Sequence, residues 1–412
     1  MSVRPLLGLV LLLLTACGED VLEELEGRAS DCPVRPPVRL ADAPSTAVLL
    51  NAYYLQEEAA KSLRQGLAES PTLEETLAKA WALGAMGIRT NGFNDALEKE
   101  GSTTIQLAPG VYDETSFRGL DLVLTRAHHH GVKLVLTLGN YWNAYGGARQ
   151  YVAWAGLPSP REGDPRFFTE RAVIDHFKQS VIHTLSRVNT FDGIRYGEHP
   201  AVLGWELLNE PRGTGLDRQG AAMRAWVDEV ASVVKARAPG HLVGTGEEGF
   251  DTSLESYDEA FWAQVPAAWL FEASASFRRN TASPFIDFGS AHFYPELWGI
   301  PGEVTAEVGA RWISDHTAVA SELGKPLFLG EFGLRNLGSF PLEQRRAIYR
   351  GWLRCAWRAG TGGVAPWMFS YDSRPDAWDD FTFYFRDGTT PDDPRNRYAD
   401  LVIEAAGRAG TR

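Results

Sequence analysis

The chain has 412 residues, of which 44% are apolar and 23% are charged, and its net charge is −13. The negative charge argues against nucleic acid and against an anionic membrane surface as electrostatic partners. Thirteen tryptophans favour either a large core or flat platforms on which ligands such as sugars stack. The length would allow two or three domains, but a single α/β barrel also uses this much chain.

The first residues predict an export signal. Arg4 precedes an apolar run, Leu6 to Leu14, that is too short to span a bilayer. Leu14-Thr15-Ala16-Cys17 then resembles the lipobox of bacterial lipoproteins, which implies that residues 1–16 are removed and that Cys17 is lipidated. The alternative is a plain secretory signal with an incidental cysteine. We therefore expect export from a bacterial cell, to the periplasm, to the cell surface as a lipoprotein, or into the medium.

Residues 17–44 are acidic at first and then rich in proline, which predicts a partly extended tether between the lipid and the folded body. Cys32 in this segment and Cys355 in a late helix are the other two cysteines. They form either a disulfide or two buried thiols, and the sequence leaves both open because pairing depends on geometry. No spacing resembles a zinc site, and because the two-carboxylate chemistry inferred below needs only water, no metal ion or other cofactor is implied.

From Ala47 onward, short apolar runs alternate with longer amphipathic segments, a pattern typical of β/α units around a parallel sheet. Eight strands with helices between them predict a single (β/α)8 TIM barrel, an α/β fold, over residues 45–412. The predicted strands are Ala47–Tyr53, Gly87–Phe93, Lys133–Leu138, Val202–Leu208, His241–Gly246, Asp287–His292, Pro326–Phe332 and Gly363–Phe369. The predicted helices are Thr72–Gly84, Ser116–His130, Thr169–Val188, Gln219–Ala238, Thr305–Gly324, Leu342–Ala359 and Asn396–Gly407.

In such barrels the chemistry is carried by the C-terminal ends of the strands. Glu210 ends the fourth predicted strand, and Pro211 after it prevents further ladder pairing. Glu331 ends the seventh. Two glutamates at the ends of two buried strands are what glycoside hydrolysis requires. Further polar or aromatic side chains stand at the ends of predicted strands two to six and eight, namely Arg89, Asn140, Asn209, Glu247, Glu248, His292, Tyr294 and Trp367.

These motifs, in this order, resemble glycoside hydrolase family 5 and within it the endo-β-1,4-mannanase subfamily. The resemblance covers nearly everything from residue 47 to residue 405. The matching pieces are Arg89-Thr90 with Phe93-Asn94-Asp95, Pro109-Gly110-Val111-Tyr112, Tyr145-Gly146-Gly147, Asn189-Thr190-Phe191, Trp205-Glu206-Leu207-Leu208-Asn209-Glu210-Pro211-Arg212, Glu248-Gly249-Phe250, His292-Phe293-Tyr294-Pro295, Gly330-Glu331-Phe332-Gly333 and Pro366-Trp367-Met368.

The resemblance implies that Glu210 is the general acid/base and Glu331 the nucleophile of a mechanism that retains the anomeric configuration. Glu210 must start protonated, so we expect burial and the neighbouring carboxylate to raise its pKa. The other implied roles are Arg89 and Tyr294 as donors to Glu331, Asn209 as the partner of the sugar 2-hydroxyl, His292 beside the acid/base, Trp367 as the platform under the sugar, and Asn140 as a polar wall contact.

Several of these residues have a structural alternative. Arg89 could neutralise Glu206, which precedes Glu210 by four residues on the same strand face. His292 and Trp367 could be ordinary core residues, and Asn140 could serve a turn. Three further features have no assigned role in the reaction: Trp142, which could stack a sugar or cover the barrel; Glu248, on the rim; and His128-His129-His130, which favour a helix C-terminus over a metal site.

The chain departs from the mannanase pattern at Asn91-Gly92, where a bulky aromatic residue is usual, and at Asn140-Tyr141, where two asparagines are common. Both positions belong to the glycone half of the cleft, so the sugar preference stays open. We expect a monomeric retaining endo-β-1,4-mannanase acting on mannan, glucomannan or galactomannan, with Asp251–Asn280 and Tyr371–Thr382 as cleft walls. The alternatives are an exo-β-mannosidase or β-1,4-glucanase on the same site, or a non-catalytic glycan-binding lipoprotein.

Overall fold

A computed structural model describes residues 20–43, 45–95, 103–253, 273–371, 379–385 and 399–409. Eight strands form one sheet in the order β5-β4-β3-β2-β1-β8-β7-β6, and every ladder between them is parallel. The predicted TIM barrel is therefore confirmed. The strands are β1 Ala47–Asn51, β2 Gly87–Asn91, β3 Lys133–Thr137, β4 Val202–Glu206, β5 Leu242–Gly244, β6 Gly289–Phe293, β7 Leu327–Phe332 and β8 Gly363–Val364.

The last seam of the barrel, between β5 and β6, is closed by a single parallel bridge, Gly244 to Phe288. The neighbouring Asp287 reinforces it, because its carboxylate accepts from the Val243 amide at 2.8 Å and pairs with Lys235 at 2.7 Å. A β-carbon on Gly244 would overlap the ring of Phe288. Glycine is thus required where the two ends of the sheet meet.

The helices lie around the barrel, and several begin or end at residues that favour helix termini. Ser70 caps one helix with Pro71 at its first position, and Asp113 caps the next. Gly131, at φ 66°, ends that helix directly after His130, the predicted last residue. The helices are α1 (20–29), α2 Leu55–Arg64, α3 Pro71–Ala82, α4 Glu114–His130, α5 Gly147–Trp154, α6 Arg166–Thr169, α7 Arg171–Ser186, α8 Ala221–Arg237, α9 Phe277–Thr281, α10 Gly302–Glu322, α11 Leu342–Ala359 and α12 Ala399–Ala409.

Much of the tryptophan content lies in the core between the barrel and its helices, where Trp205, Trp226, Trp312 and Trp352 are fully buried. A separate cluster of inward-facing side chains fills the barrel itself and includes Leu49, Val135, Phe288 and Phe328. Across the described ranges, none of the helices combines the length and the apolar character needed to cross a membrane.

Residues 20–43, expected to form an extended tether, instead pack against the barrel. Ala29 of α1 is buried, and Glu26 pairs with Arg350 of α11 at 3.2 Å and also with Arg354. Further along, the buried Leu40 joins the cluster inside the barrel. The apolar anchors of this arm offset the extended preference of its prolines.

Cys32 and Cys355 form a disulfide with their α-carbons 5.3 Å apart. Of the two possibilities that the sequence left open, the structure therefore has the bridge, which fixes the arm to α11. Cys17 and the predicted signal peptide lie outside the described residues.

Some elements differ from the sequence-based expectation. The eighth strand ends at Val364, and the chain forms a new strand, Phe369–Tyr371, that pairs in parallel with Phe383–Phe385. Helices α2 and α5 were not predicted, nor was the hairpin of Gln106–Ala108 with Val111–Tyr112. Parts of both predicted cleft walls, 254–272 and 372–378, and the start of the predicted last helix lie outside the described residues.

Candidate active site

Glu210 and Glu331 face each other at the C-terminal end of the barrel. Glu210 follows β4 with a positive φ of 52°, a strained conformation for a residue other than glycine, and Glu331 is the penultimate residue of β7. An oxygen of each carboxyl group lies within 4.8 Å of one on the other. Retaining glycosidases hold their carboxyl groups roughly 5–5.5 Å apart, and inverting enzymes roughly 6.5–9.5 Å apart. The spacing fits direct attack on the sugar by one carboxylate.

Glu331 is held by two donors, one on each oxygen. Arg89 Nη1 lies 2.5 Å from Oε1, and the Tyr294 hydroxyl donates to Oε2 at 2.6 Å. Glu331 is only 4% exposed, so solvent weakens these two charge-assisted hydrogen bonds little. The carboxylate is thereby fixed in one orientation.

Arg89 has both of the roles considered from the sequence. Besides Glu331, its Nε donates to Glu206 at 2.7 Å, and Glu206 is fully buried. Its Nη2 also donates to the Asn209 side-chain oxygen at 2.8 Å. One guanidinium therefore compensates an interior carboxylate and orients two residues of the cleft.

Glu210 also has a partner on each oxygen. His292 Nδ1 lies 2.8 Å from Oε1, and Trp142 Nε1 donates to Oε2 at 2.6 Å. His292 is fully buried, and the same Nδ1 is 3.7 Å from Glu331. The imidazole therefore lies between the two carboxyl groups.

Proton distribution in this trio differs from the expectation. Burial raises the pKa of Glu210, but the hydrogen bond and charge of His292, with Arg212 and Trp142, outweigh it and hold that pKa below its ordinary value. Burial and the Glu210 charge raise the pKa of Glu331, against His292 and Arg89. Burial lowers the pKa of His292, but Glu331 and Glu210 together raise it above its ordinary value. These directions favour an imidazolium beside a Glu210 carboxylate in the free protein.

Glu210, His292 and Glu331 also offer three atoms of the kind that bind metal ions, all within 4.8 Å of one another. The Arg89 guanidinium, 2.5 Å from Glu331, opposes a divalent cation there. The trio is better suited to holding and moving a proton.

Asn209 and Asn140 lie side by side at the ends of neighbouring strands. The Asn209 amide donates to the Asn140 side-chain oxygen at 3.1 Å. Asn140 in turn donates to the Ala144 carbonyl at 3.1 Å and accepts from the Trp142 amide at 3.3 Å. Asn140 therefore lines the cleft and also holds the conformation of its own loop, so it has both the implied wall position and the alternative role in a turn.

Trp367 lies on the cleft wall and is half-buried. Its ring is parallel to Tyr53, with centroids 5.5 Å apart and an interplanar angle of 8°. Its indole N–H donates to Asp379 at 2.8 Å, which fixes the ring orientation. The sequence analysis assigned no role to either partner, although Tyr53 ends the first predicted strand and Asp379 lies in the predicted cleft wall Tyr371–Thr382.

Glu248 also has a defined environment. It accepts two hydrogen bonds of 2.6 Å from Arg212, whose guanidinium lies 4.8 Å from the ring centroid of Trp142. Burial, with the neighbouring Glu210 charge, raises the pKa of Glu248 to about 7. The Arg212 contact was missed, although Arg212 follows Glu210 by two residues and that proximity was a usable signal.

All eight predicted catalytic and substrate-binding positions are near one another, and seven of them line one cleft of about 950 Å³; the eighth, His292, lies buried beneath it. This volume is near the upper end of the range of about 300–1,000 Å³ that is usual for ligand-binding clefts. Its lining is Asn51, Tyr53, Arg89, Thr90, Asn91, Asn140, Trp142, Ala144, Tyr145, Asn209, Glu210, Arg212, Glu248, Tyr294, Leu297, Trp298, Glu331, Arg335, Trp367, Asp379, Asp380 and Phe381.

Known proteins with similar sequences and folds are consistent with this site. The rice (Oryza sativa subsp. japonica) mannan endo-1,4-beta-mannosidase 4 is 36% identical over 69% of this chain and 59% of its own length. The rice mannan endo-1,4-beta-mannosidase 2 is 33% identical over 81% and 75% of the two chains. The solved endo-beta-1,4-mannanase of Thermotoga petrophila superposes with a TM-score of 0.76 at 28% identity, covering 90% of this chain and 78% of that one.

The family whose profile matches residues 83–390 is described as GH family 5 beta-mannosidase-like. That match spans most of the barrel and includes both glutamates. The resemblance drawn from the motifs is confirmed: the chain belongs to glycoside hydrolase family 5 and is a glycoside hydrolase of its β-mannosidase-like group.

Proposed function

We propose that this protein is a retaining endo-β-1,4-mannanase that hydrolyses mannan-type polysaccharides. The observation that carries the proposal is the separation of the Glu210 and Glu331 carboxyl oxygens, which is within 4.8 Å in a barrel of this family. The names of the plant relatives and of the Thermotoga structure support β-1,4-mannan as the substrate.

In the first step Glu331 attacks the anomeric carbon while Glu210 gives its proton to the departing glycosidic oxygen. The carbon–oxygen bond breaks, a glycosyl–enzyme ester forms, and Glu210 becomes a carboxylate. In the second step this carboxylate takes a proton from water, whose oxygen displaces Glu331. Arg89 and Tyr294 hold the attacking carboxylate in one orientation, at 2.5 and 2.6 Å, so little reorganisation precedes attack.

His292 controls the charge of Glu210 before the first step. Its Nδ1 is 2.8 Å from Glu210 Oε1, so an imidazolium there favours the Glu210 carboxylate, whereas a neutral imidazole favours the protonated acid, whose proton comes from water at the cleft-side oxygen. When Glu331 becomes an ester and loses its charge, one of the two groups that favour imidazolium is removed. The pKa of His292 therefore falls when the glycosyl–enzyme ester forms.

The neighbouring side chains provide sites for the sugar. Trp367 gives a fixed aromatic face, which Tyr53 extends along the same wall. Asn209, oriented by Arg89 at 2.8 Å, is placed to bond the 2-hydroxyl. At Asn91-Gly92, where the mannanase pattern usually has a bulky aromatic residue, the cleft wall has a short amide side chain. The Asn91 side-chain oxygen accepts a hydrogen bond from the Thr137 hydroxyl at 3.2 Å, so this part of the wall offers a polar group in place of an aromatic ring.

The proposal is tested by the release of reducing ends from mannan, glucomannan and galactomannan, with proton NMR of the first-formed anomer. We expect β-configured products from the wild type and none from Glu331→Ala. Azide should restore turnover in both glutamate variants, giving the α-glycosyl azide with Glu331→Ala and the β-glycosyl azide with Glu210→Ala. Full activity of Glu331→Ala, or an α-configured first product from the wild type, would contradict the mechanism.

The exo-β-mannosidase and β-1,4-glucanase alternatives use the same two carboxylates. Product sizes from manno- and cello-oligosaccharides separate them, because an endo-enzyme cuts inside the oligomer and an exo-enzyme releases one unit at a time. We expect internal cleavage of manno-oligosaccharides and slower cleavage of the cello series. Release of mannose alone would favour the exo-acting alternative.

We further propose that residues 1–16 direct export, that Cys17 is lipidated and that the enzyme acts as a monomer. The lipobox resemblance supports the anchor, and the Cys32–Cys355 bridge supports an oxidising compartment. Metabolic labelling with a radioactive fatty acid tests the anchor: we expect label on the wild type and none on Cys17→Ser. Size-exclusion chromatography of the protein expressed from residue 18, without signal or lipid, tests the monomer, with elution expected somewhat below the 45.4 kDa of the full chain.

A further inference from the structure

Trp142 contacts the acid/base directly, a role that neither sugar stacking nor cover for the barrel explains. Its indole N–H donates to Glu210 Oε2 at 2.6 Å. The other oxygen, Oε1, faces His292, which is fully buried inside the barrel. Since Trp142 is half-buried and lines the cleft, Oε2 is the Glu210 oxygen on the side from which substrate arrives.

The indole is fixed in place by contacts with the strand end that carries Glu210. The Arg212 guanidinium lies 4.8 Å from the centre of the Trp142 ring and is itself held by Glu248. The Tyr141 ring meets the indole edge-on, with centroids 5.0 Å apart. The Tyr141 amide donates to the Asn209 carbonyl at 3.0 Å, which ties the loop to β4. The ring therefore has little freedom to leave its hydrogen bond.

We propose that Trp142 is a positioning residue for the acid/base: its N–H fixes the cleft-side oxygen of Glu210, and this oxygen delivers the proton to the glycosidic oxygen. The proposal rests on the proposed function and adds a residue to its proton-transfer step. Oε2 has two lone-pair directions, so it can accept from the indole while its own O–H points at the leaving oxygen.

The contact favours the transition state over the ground state. As the O–H bond of Glu210 breaks and the proton moves to the leaving oxygen, negative charge develops on Oε2. A hydrogen bond to a carboxylate is stronger than one to a neutral carboxyl group, so the indole N–H stabilises the reacting arrangement more than the starting one. In the second step Glu210 starts as a carboxylate and takes a proton from water, so there the indole N–H stabilises the starting state more than the transition state.

The test removes the N–H and keeps a ring. Trp142→Phe is compared with site-specific Trp142→benzothienylalanine, an isostere with sulfur in place of N–H, so that packing loss is separated from loss of the donor. We expect kcat/KM on manno-oligosaccharides to fall about tenfold to a hundredfold in both. For a dinitrophenyl β-mannoside, whose leaving group needs no proton, we expect less than about a threefold change.

The pH profile gives a second readout. Without the donor the Glu210 carboxylate is less stable, its pKa rises, and the basic limb of kcat/KM should move up by about one pH unit. Carbon-13 NMR titration of the labelled Glu210 carboxyl reads the same shift without turnover. Trp357→Phe, which changes an exposed tryptophan on α11, is the matched control and should alter none of these quantities.

Equal losses on both substrates with an unmoved basic limb would mean that Trp142 has only a structural role and would overturn the proposal. An unshifted NMR titration in the isostere variant would overturn it too. A wild type inactive on every mannan would refute the proposed function, yet the titration would still decide whether the indole N–H acts on Glu210.

Discussion

Arg89 and Glu331 meet across the barrel at 2.5 Å although 242 residues separate them in the chain. The same guanidinium is 2.7 Å from the buried Glu206 and 2.8 Å from Asn209. A lysine has one ammonium group and cannot reproduce this planar set of contacts. We expect Arg89→Lys to reduce kcat at least a hundredfold and to lower the free energy of unfolding by about 3–5 kcal/mol, because buried carboxylates lose their partner.

Glu206→Gln separates the two roles of Arg89. It keeps the shape of the side chain and leaves the Arg89 contact with Glu331 available, so urea unfolding should show a loss of stability while kcat stays within about tenfold of the wild type. A Glu206→Gln protein as inactive as Arg89→Lys would show that the interior pair, and not the contact with Glu331, accounts for the arginine's effect on rate.

Tyr294 bonds the Glu331 oxygen that Arg89 does not contact, at 2.6 Å. Tyr294→Phe removes only the hydroxyl, so the ring packing against Phe381 remains. Loss of one oriented donor at the reacting carboxylate should lower kcat about tenfold to a thousandfold. The melting temperature, measured in parallel, should change little. Unchanged kcat would mean that Arg89 alone orients Glu331.

Glu247 is buried and does not line the cleft. Its ionisation should make the free energy of unfolding fall as pH rises. Burial raises its pKa to about 8 from an ordinary 4.5, so between these values the folded protein holds a proton that the unfolded chain has lost. The free energy of unfolding then decreases with pH by up to about 1.4 kcal/mol per unit for this group. We expect Glu247→Gln to remove this group's contribution to the slope in urea titrations from pH 5 to 8.

Two other buried acids sharpen this test. Burial also raises the pKa of Asp95 and of Glu248 to about 7. Between pH 7 and 8 the slope that remains in Glu247→Gln should therefore be shallower than that of the wild type. Identical slopes in the two proteins between pH 7 and 8 would show that Glu247 is not the group responsible.

The barrel and its catalytic pair could be predicted because both rest on local pattern. Apolar runs alternate with amphipathic segments, and an acid at a strand end must lie on the common rim. The end of β8 was less predictable: apolar residues continue past Val364, but Pro366 cannot donate to a ladder. The bond from Trp142 to Glu210 depends on loop path and rotamer, which no sequence period encodes.

The N-terminal arm shows a similar limit. Its prolines predict extension, and only the three-dimensional placement of Leu40 against the inner cluster reveals that it is docked. Composition gives the preference of a segment in isolation, whereas docking depends on the apolar surface that it meets.

The Cys32–Cys355 bridge should stabilise the fold without affecting catalysis, since neither residue lines the cleft. Because the bridge constrains the unfolded chain, Cys32→Ser and Cys355→Ser should each lower the free energy of unfolding by about 2–4 kcal/mol. The double variant should resemble either single one, as both changes remove the same bond. Cys17→Ser is the matched control, expected to leave the melting temperature unchanged. Additive losses in the double variant, or a wild type insensitive to reductant, would mean that the arm is held by its apolar and ionic contacts alone.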